Sequence, residues 1–296
     1  MTSSVVRRPG KATRLLRCGA IAGMFALSGL DGVPTAQAED GAFTATYNIS
    51  LAGVTIGGAT MVANINGAAY SVDLHAKLTG LAGVLTSGKG GAKSAGALSG
   101  AGLSPASLAV VSSTSDVTRT LRLAFASGRV DAVEIKPPLE DWDRPDRVPV
   151  AEGDKRGVID PLSALLMPVA AGADPKSACQ RTIPIFDGAT RFNVVLSYVR
   201  TAQVAKDGYR GPAIVCAARY VPISGHRAAR SVTRYMEQNR DMGAWLIPVA
   251  NTNVYAPYRI SVKTMIGTTV LEATKLNVAG TLTAAGPTLV KSKPRD

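Results

Sequence analysis

An antiparallel all-β fold in one barrel-like domain is what this sequence predicts, and three observations predict it. Apolar and polar residues alternate with period two in segment after segment, turn signatures separate those segments at hairpin spacing, and one stretch alone, about 160–170, reads as a helix. The length beyond residue 38 permits one barrel-like domain.

The chain begins with an address. Arg7, Arg8, Lys11, Arg14 and Arg17 form a basic region, 18–30 is an apolar run, and Ala36-Gln37-Ala38 supplies the small-x-small site of a signal peptidase. Residues 1–38 are therefore expected to be a signal peptide cleaved after Ala38, with Glu39 as the mature N-terminus. A membrane-spanning helix fits less well, because the run falls short of the roughly 20 residues a bilayer demands and Asp31 interrupts it. The mature chain is expected in the periplasm of a Gram-negative bacterium, as a domain over 39–279 and a disordered basic tail over 280–296, and not as an integral membrane protein.

Without residues 1–38, which hold five basic residues and one acid, 28 Lys+Arg face 20 Asp+Glu. An exported protein with this basic balance meets lipid head groups and cell-wall polymers rather than nucleic acid, so no nucleic-acid partner is expected. Cleavage also removes Cys18 and leaves Cys179 and Cys216 as a lone pair in an oxidising compartment, where a disulfide is expected. Closing that loop stabilises the fold by roughly 3–4 kcal/mol in the chain-entropy model.

The strands follow in order. In 43–51 every odd residue is apolar; Ala52-Gly53 turns into 54–65, where Gly57-Gly58 marks a bulge, and Asn66-Gly67 leads into 69–78. Residues 79–104, rich in Gly, Ala and Ser, read as a strongly curved strand, with a low-complexity linker as the alternative. Segments 107–113, 117–126 and 129–136 continue the meander. The acidic loop 137–146 follows, read as solvated rather than as a Ca²⁺ loop, with Trp142 placed over the mouth of the sheet. Asp160 and Pro161 are fitted to the N-cap and first position of the helix, with Leu162, Leu165, Leu166 and Val169 on one face. Strands resume at 191–204, 212–222, 230–236, 243–249, 255–264 and 268–278.

Tyr47 with the turn at Gly53 and the Gly57-Gly58 strand, Pro105, Asp160-Pro161-Leu162-Ser163, Phe186-Asp187-Gly188 with Arg191, and Pro248-Val249 followed by Arg259 and Gly267 together resemble the bacterial exported proteins grouped as domain of unknown function 3108. The resemblance covers nearly all of 41–275. It implies a large antiparallel sheet rolled into an open, tunnel-like barrel, and it carries no catalytic residues over, because that family has no established activity.

The residues themselves point the same way. His75 and His226 are the only histidines, too few for a zinc site once the cysteines are bonded, so no metal and no cofactor is expected. Ser163 near Asp160 lacks a histidine close in sequence, no nucleophile elbow surrounds any serine, and no glycine loop opens a helix to cradle phosphate. A triad assembled from distant residues stays open. Asp187 and Arg191 are the most suggestive charged pair: either they close a hairpin, or Arg191 aims its guanidinium at an anionic group. The sequence thus points to a non-catalytic envelope protein that binds a lipid-like or amphipathic molecule through Arg191, Asp187 and Trp142. The alternatives are a docking protein for an envelope or cell-wall partner and, with least support, a hydrolase acting on cell-wall glycan or lipid.

Overall fold

The computed structural model describes residues 40–79 and 87–278. The expected signal peptide, its cleavage site and the basic tail lie outside these residues. One antiparallel sheet of 14 strands dominates and does not close. Strands β1 (Gly41–Leu51), β2 (Val54–Asn66), β3 (Ala69–Leu78), β4 (Gly88–Ser99), β5 (Gly102–Thr114), β6 (Thr118–Ala126) and β7 (Arg129–Lys136) form one meander. After a crossing segment come β8 (Met167–Pro168), β9 (Arg181–Phe186), β10 (Arg191–Lys206), β11 (Tyr209–Ser224), β12 (Met242–Pro248), β13 (Val254–Thr264) and β14 (Gly267–Asn277). β14 pairs with β1 and joins the two halves, which leaves β7 and β9 as the edges.

Bulges explain the curl. Extra residues interrupt the register of β1 with β2 and with β14, of β4 with β5, of β6 with β7, and of β10 with β11. Each one adds local twist and bend. Gly57 sits beside the first of these, and a Cβ there would collide with the Lys77 carbonyl, so the bulge needs glycine. The Gly-rich β4 is a strand, paired along its length with β3 and β5. The two edges are not left bare: Arg156 pairs with Arg129 of β7, and Ile159 pairs with Ile185 of β9. The crossing segment thus covers both, which blunts their capacity to recruit another chain.

The helix expected over 160–170 is a single 3₁₀ turn, Ser163–Leu165. Pro168 is the reason: proline lacks the N–H that a helix interior needs and pushes the preceding Met167 into extended geometry, so Met167–Pro168 leaves as β8 and pairs with β13. The one α-helix among the described residues, α1 (Ser231–Gln238), lies where the alternation of 230–236 predicted a strand. Its apolar residues Val232, Tyr235 and Met236 also fit the i, i+3, i+4 stripe of a helix. Tertiary contacts favour that choice, with the Tyr235 hydroxyl donating to the Thr264 carbonyl and Asn239 Nδ2 to the Lys263 carbonyl. β9 was hidden by Pro184, a residue that a strand tolerates at an edge, which is where β9 runs.

The interior of the curl is filled. Phe43, Met61, Val72, Leu108 and Leu123 from the first half join Ile247, Ala256 and Tyr258 from the second, with Leu162 and Leu166 between them, in one buried cluster. Ala164, Met167 and Val169 alternate with these leucines and pack into a second cluster with Ile183, Leu196, Ile214 and Leu246. Residues 160–169 are therefore a plug wedged between two cores.

Candidate functional site

At the end of the strands where β7 finishes, the loop 137–146 meets the turn 187–190 around a cavity of about 650 Å³. The walls are apolar: Val133 and Ile135 of β7, Leu139 and Trp142 of the loop, and Phe186. Arg144, Arg147 and Lys155 also line it with one carboxylate, Asp143, and Lys155 pairs with Glu152 at 2.8 Å, so a fringe of net positive charge meets an oily wall.

The acidic loop is held by arginines rather than lying free in solvent. Asp141 pairs with Arg147 at 3.0 Å and faces Arg227 and Arg230 at 3.9 Å, and Asp146 accepts from Arg227 at 2.9 Å. That hydrogen bond holds the Asp146 carboxyl below the usual carboxylate range. Arg147 also donates to the Asp141 and Gly225 carbonyls, and its guanidinium carbon lies 5.5 Å from the centre of the Trp142 ring. Trp142, 53 % exposed, is thus steadied by a cation over its face. Arg147 was missed by sequence reasoning, since nothing local distinguishes it from the other arginines nearby.

Asp187 and Arg191 are not a pair. Asp187 Oδ1 accepts the amides of Ala189 at 2.9 Å and Thr190 at 2.6 Å, which closes the turn from β9 into β10. Burial pushes its carboxyl above the ordinary value, partly offset by those amides. Gly188, at φ 98°, sits 2.5 Å from Leu121 Cδ1 by the position a Cβ would take, so the turn rests on β6. Arg191 points along its own strand and donates to the Phe192 carbonyl and to Asn193 Oδ1. The structure therefore brings Trp142 to the turn that Asp187 closes and leaves Arg191 off the cavity wall.

A buried polar network surrounds Asp160. Asp160 Oδ1 accepts the amides of Leu162 at 3.0 Å and Ser163 at 2.9 Å, as an N-cap does. Its Oδ2 accepts the hydroxyls of Ser163 at 2.5 Å and Ser94 at 2.9 Å. With Ser163 donating to Asp160, its oxygen accepts from the Tyr70 hydroxyl at 2.7 Å. Burial pushes the Tyr70 hydroxyl up to about 12, which keeps it a donor. Asp160, Ser163 and Ser94 are fully buried, and neither imidazole reaches Ser163: His75 stands exposed on β3 and His226 beside Arg227. The network ties the plug to β3 and β4. Ser94 and Tyr70 carried no sequence signal, because only the curl of the sheet delivers them to Asp160.

Cys179 and Cys216 are bonded, with Cα atoms 5.3 Å apart, and anchor the 3₁₀ turn Pro175–Cys179 to β11. Among the described residues no group of three or more His, Cys, Asp or Glu side chains is placed to hold a metal ion, and no helix is long and apolar enough to cross a membrane.

No curated protein matches this chain. A β-barrel-like protein of domain of unknown function DUF1849 from Brucella abortus, solved by crystallography, is similar at a TM-score of 0.47 and 11 % identity, covering 81 % of this chain and 99 % of that one. The family model described as protein of unknown function DUF3108 matches residues 43–274, and the chain belongs to that family.

Proposed function

We propose that the protein is a non-catalytic component of the cell envelope that binds an amphipathic, lipid-like molecule in the cavity beside Trp142. Residues 1–38 are removed after Ala38, the domain 39–279 works in the periplasm, and 280–296 is a basic tail. One observation carries the reading: apolar walls from Val133, Ile135, Leu139 and Phe186 meet Arg144, Arg147 and Lys155, against the single lining carboxylate Asp143, in one space of about 650 Å³. A short hydrocarbon chain with an anionic head has that chemistry, and the volume lies within the range of small-molecule sites. The packed interior argues against a ligand threaded along the axis.

Fluorescence tests it. In a Trp245→Phe variant, Trp142 is the only tryptophan. Titration with a medium-chain fatty acid below its micelle concentration is expected to give a saturable change in its emission, and native mass spectrometry one bound molecule per chain. An unaltered spectrum and an apo mass would refute the assignment. They would turn attention to the alternative of a docking platform for an envelope protein, favoured by that same packed interior.

A further inference from the structure

We propose that the end of the sheet carrying α1 docks on the surface of an anionic lipid bilayer. Nine large hydrophobic side chains stand exposed among the described residues, and six of them, Val54, Trp142, Ile223, Val232, Met265 and Ile266, lie at this one end of the strands. Scattered exposed hydrophobes need no explanation; a gathering at one end does.

Met265 and Ile266 are the sharpest case. They are the whole of the two-residue connection between β13 and β14, in which Thr264 pairs directly with Gly267, and they are 57 % and 56 % exposed. Asn, Asp and Gly suit such a connection because of its backbone geometry, so two large apolar residues at its tip serve something beyond turn formation. The neighbouring turn carries Val54, and the two tips touch: the Ala52 amide donates to the Thr268 carbonyl, and Gly267 lies against Ala52. On the other side α1 is bonded to Thr264 and Lys263, which brings Val232 to the same rim.

The charges around these tips are complementary to anionic head groups. Residues 225–240 hold four arginines and one carboxylate, Glu237; Arg227 and Arg230 face Asp146 and Asp141 of the loop that carries Trp142, so the free positive charge lies on Arg234 and Arg240. Among the described residues Arg234 and Arg240 bond only to backbone carbonyls, whereas the nearby Asp241 is taken by Lys263. Lys77 and Lys89 face each other directly across β3 and β4 at this end, with no carboxylate partner among the described residues. Like charges so placed repel, and an external anion relieves them. Shallow apolar insertion combined with basic contacts is how proteins lie on, rather than span, a bilayer. This inference goes beyond ligand binding at the Trp142 cavity and stands without it.

The test is sedimentation of the chain from residue 39 to 296 with phosphatidylcholine vesicles and with phosphatidylcholine–phosphatidylglycerol vesicles, at low and high salt. Binding is expected only to the anionic vesicles and is weakened by salt. The Met265→Asp/Ile266→Asp and Arg234→Glu/Arg240→Glu variants are each expected to lower partitioning about tenfold or more. All four positions are exposed, and unchanged melting curves verify that the variants fold. Absence of binding to anionic vesicles would overturn the proposal. So would binding that survives both variants and disappears when residues 280–296 are deleted, since the basic tail would then be the anchor. No vesicle result bears on the fatty-acid titration, so the two readings fail separately.

Discussion

Replacing Asp160 by alanine is the perturbation whose cost the structure best defines. Four donors converge on its carboxylate: two backbone amides and two hydroxyls. The hydroxyls have alternatives, because Ser94 can turn to the Ser107 carbonyl at 3.1 Å and Ser163 keeps Tyr70 at 2.7 Å. The amides of Leu162 and Ser163 have none in hand. Each buried donor left without a partner costs about 1–3 kcal/mol, so Asp160→Ala should lose roughly 3–5 kcal/mol once the side-chain void is included. For a domain of this size that lowers the melting temperature by roughly 10 °C. Asp160→Asn keeps Oδ1 for both amides and offers its NH₂ to the serine oxygens, so its cost should be only about 1–2 kcal/mol. Circular dichroism melts and urea titrations at pH 7 measure both, and Tyr70→Phe, which removes one hydrogen bond, gives a milder reference at about 1 kcal/mol. A loss under 1 kcal/mol for Asp160→Ala, or equal losses for the two Asp160 variants, would refute the reasoning that acceptance of the plug's amides is what counts.

Three further outcomes are expected. The disulfide spans 37 residues, so reduction should cost about 4 kcal/mol in the chain-entropy model and lower the melting temperature by roughly 10 °C; an unchanged melt in reductant would contradict it. Burial raises the Asp187 carboxyl in the folded state, so its contribution to stability is full below the ordinary carboxylate pKa and is lost as pH rises through the folded value. Asp187→Asn, which can still accept the turn amides, should therefore melt no lower than the parent at pH 7, and any advantage should shrink as the pH falls; an advantage that grows in acid would reverse the sign. Gly188→Ala places a Cβ at φ 98° against Leu121 and should cost about 1–3 kcal/mol in chemical denaturation, whereas a neutral effect would mean the turn is free to relax.

Sequence alone determined the meander. Period-two alternation and turns such as Asn66-Gly67 and Ala52-Gly53 are local properties, and they placed β1, β2, β3, β6, β7, β13 and β14 close to where the structure has them. The cysteine pair was legible because only two cysteines, Cys179 and Cys216, lie beyond residue 38. Asp160 was legible as a cap, because capping is a matter of three consecutive residues. What local pattern could not decide is whatever depends on residues brought from afar. The stripe of 231–238 fits a strand or a helix until Thr264 and Lys263 arrive to bond α1. Asp187 and Arg191 suggest an ion pair until the turn claims the carboxylate and the strand claims the guanidinium. Trp142, expected over the mouth of the sheet, lines a cavity whose other walls, Arg147, Val133 and Phe186, lie on elements that only the curl assembles. The curl also carries Ser94 to Asp160 and Tyr70 to Ser163 across 66 and 93 residues of chain, and fills with side chains the axis that a rolled sheet would otherwise leave open. Hydrogen-bond register propagates from neighbour to neighbour and can be read along the chain, whereas the meeting of distant faces depends on the summed bend of every bulge and is settled only in three dimensions.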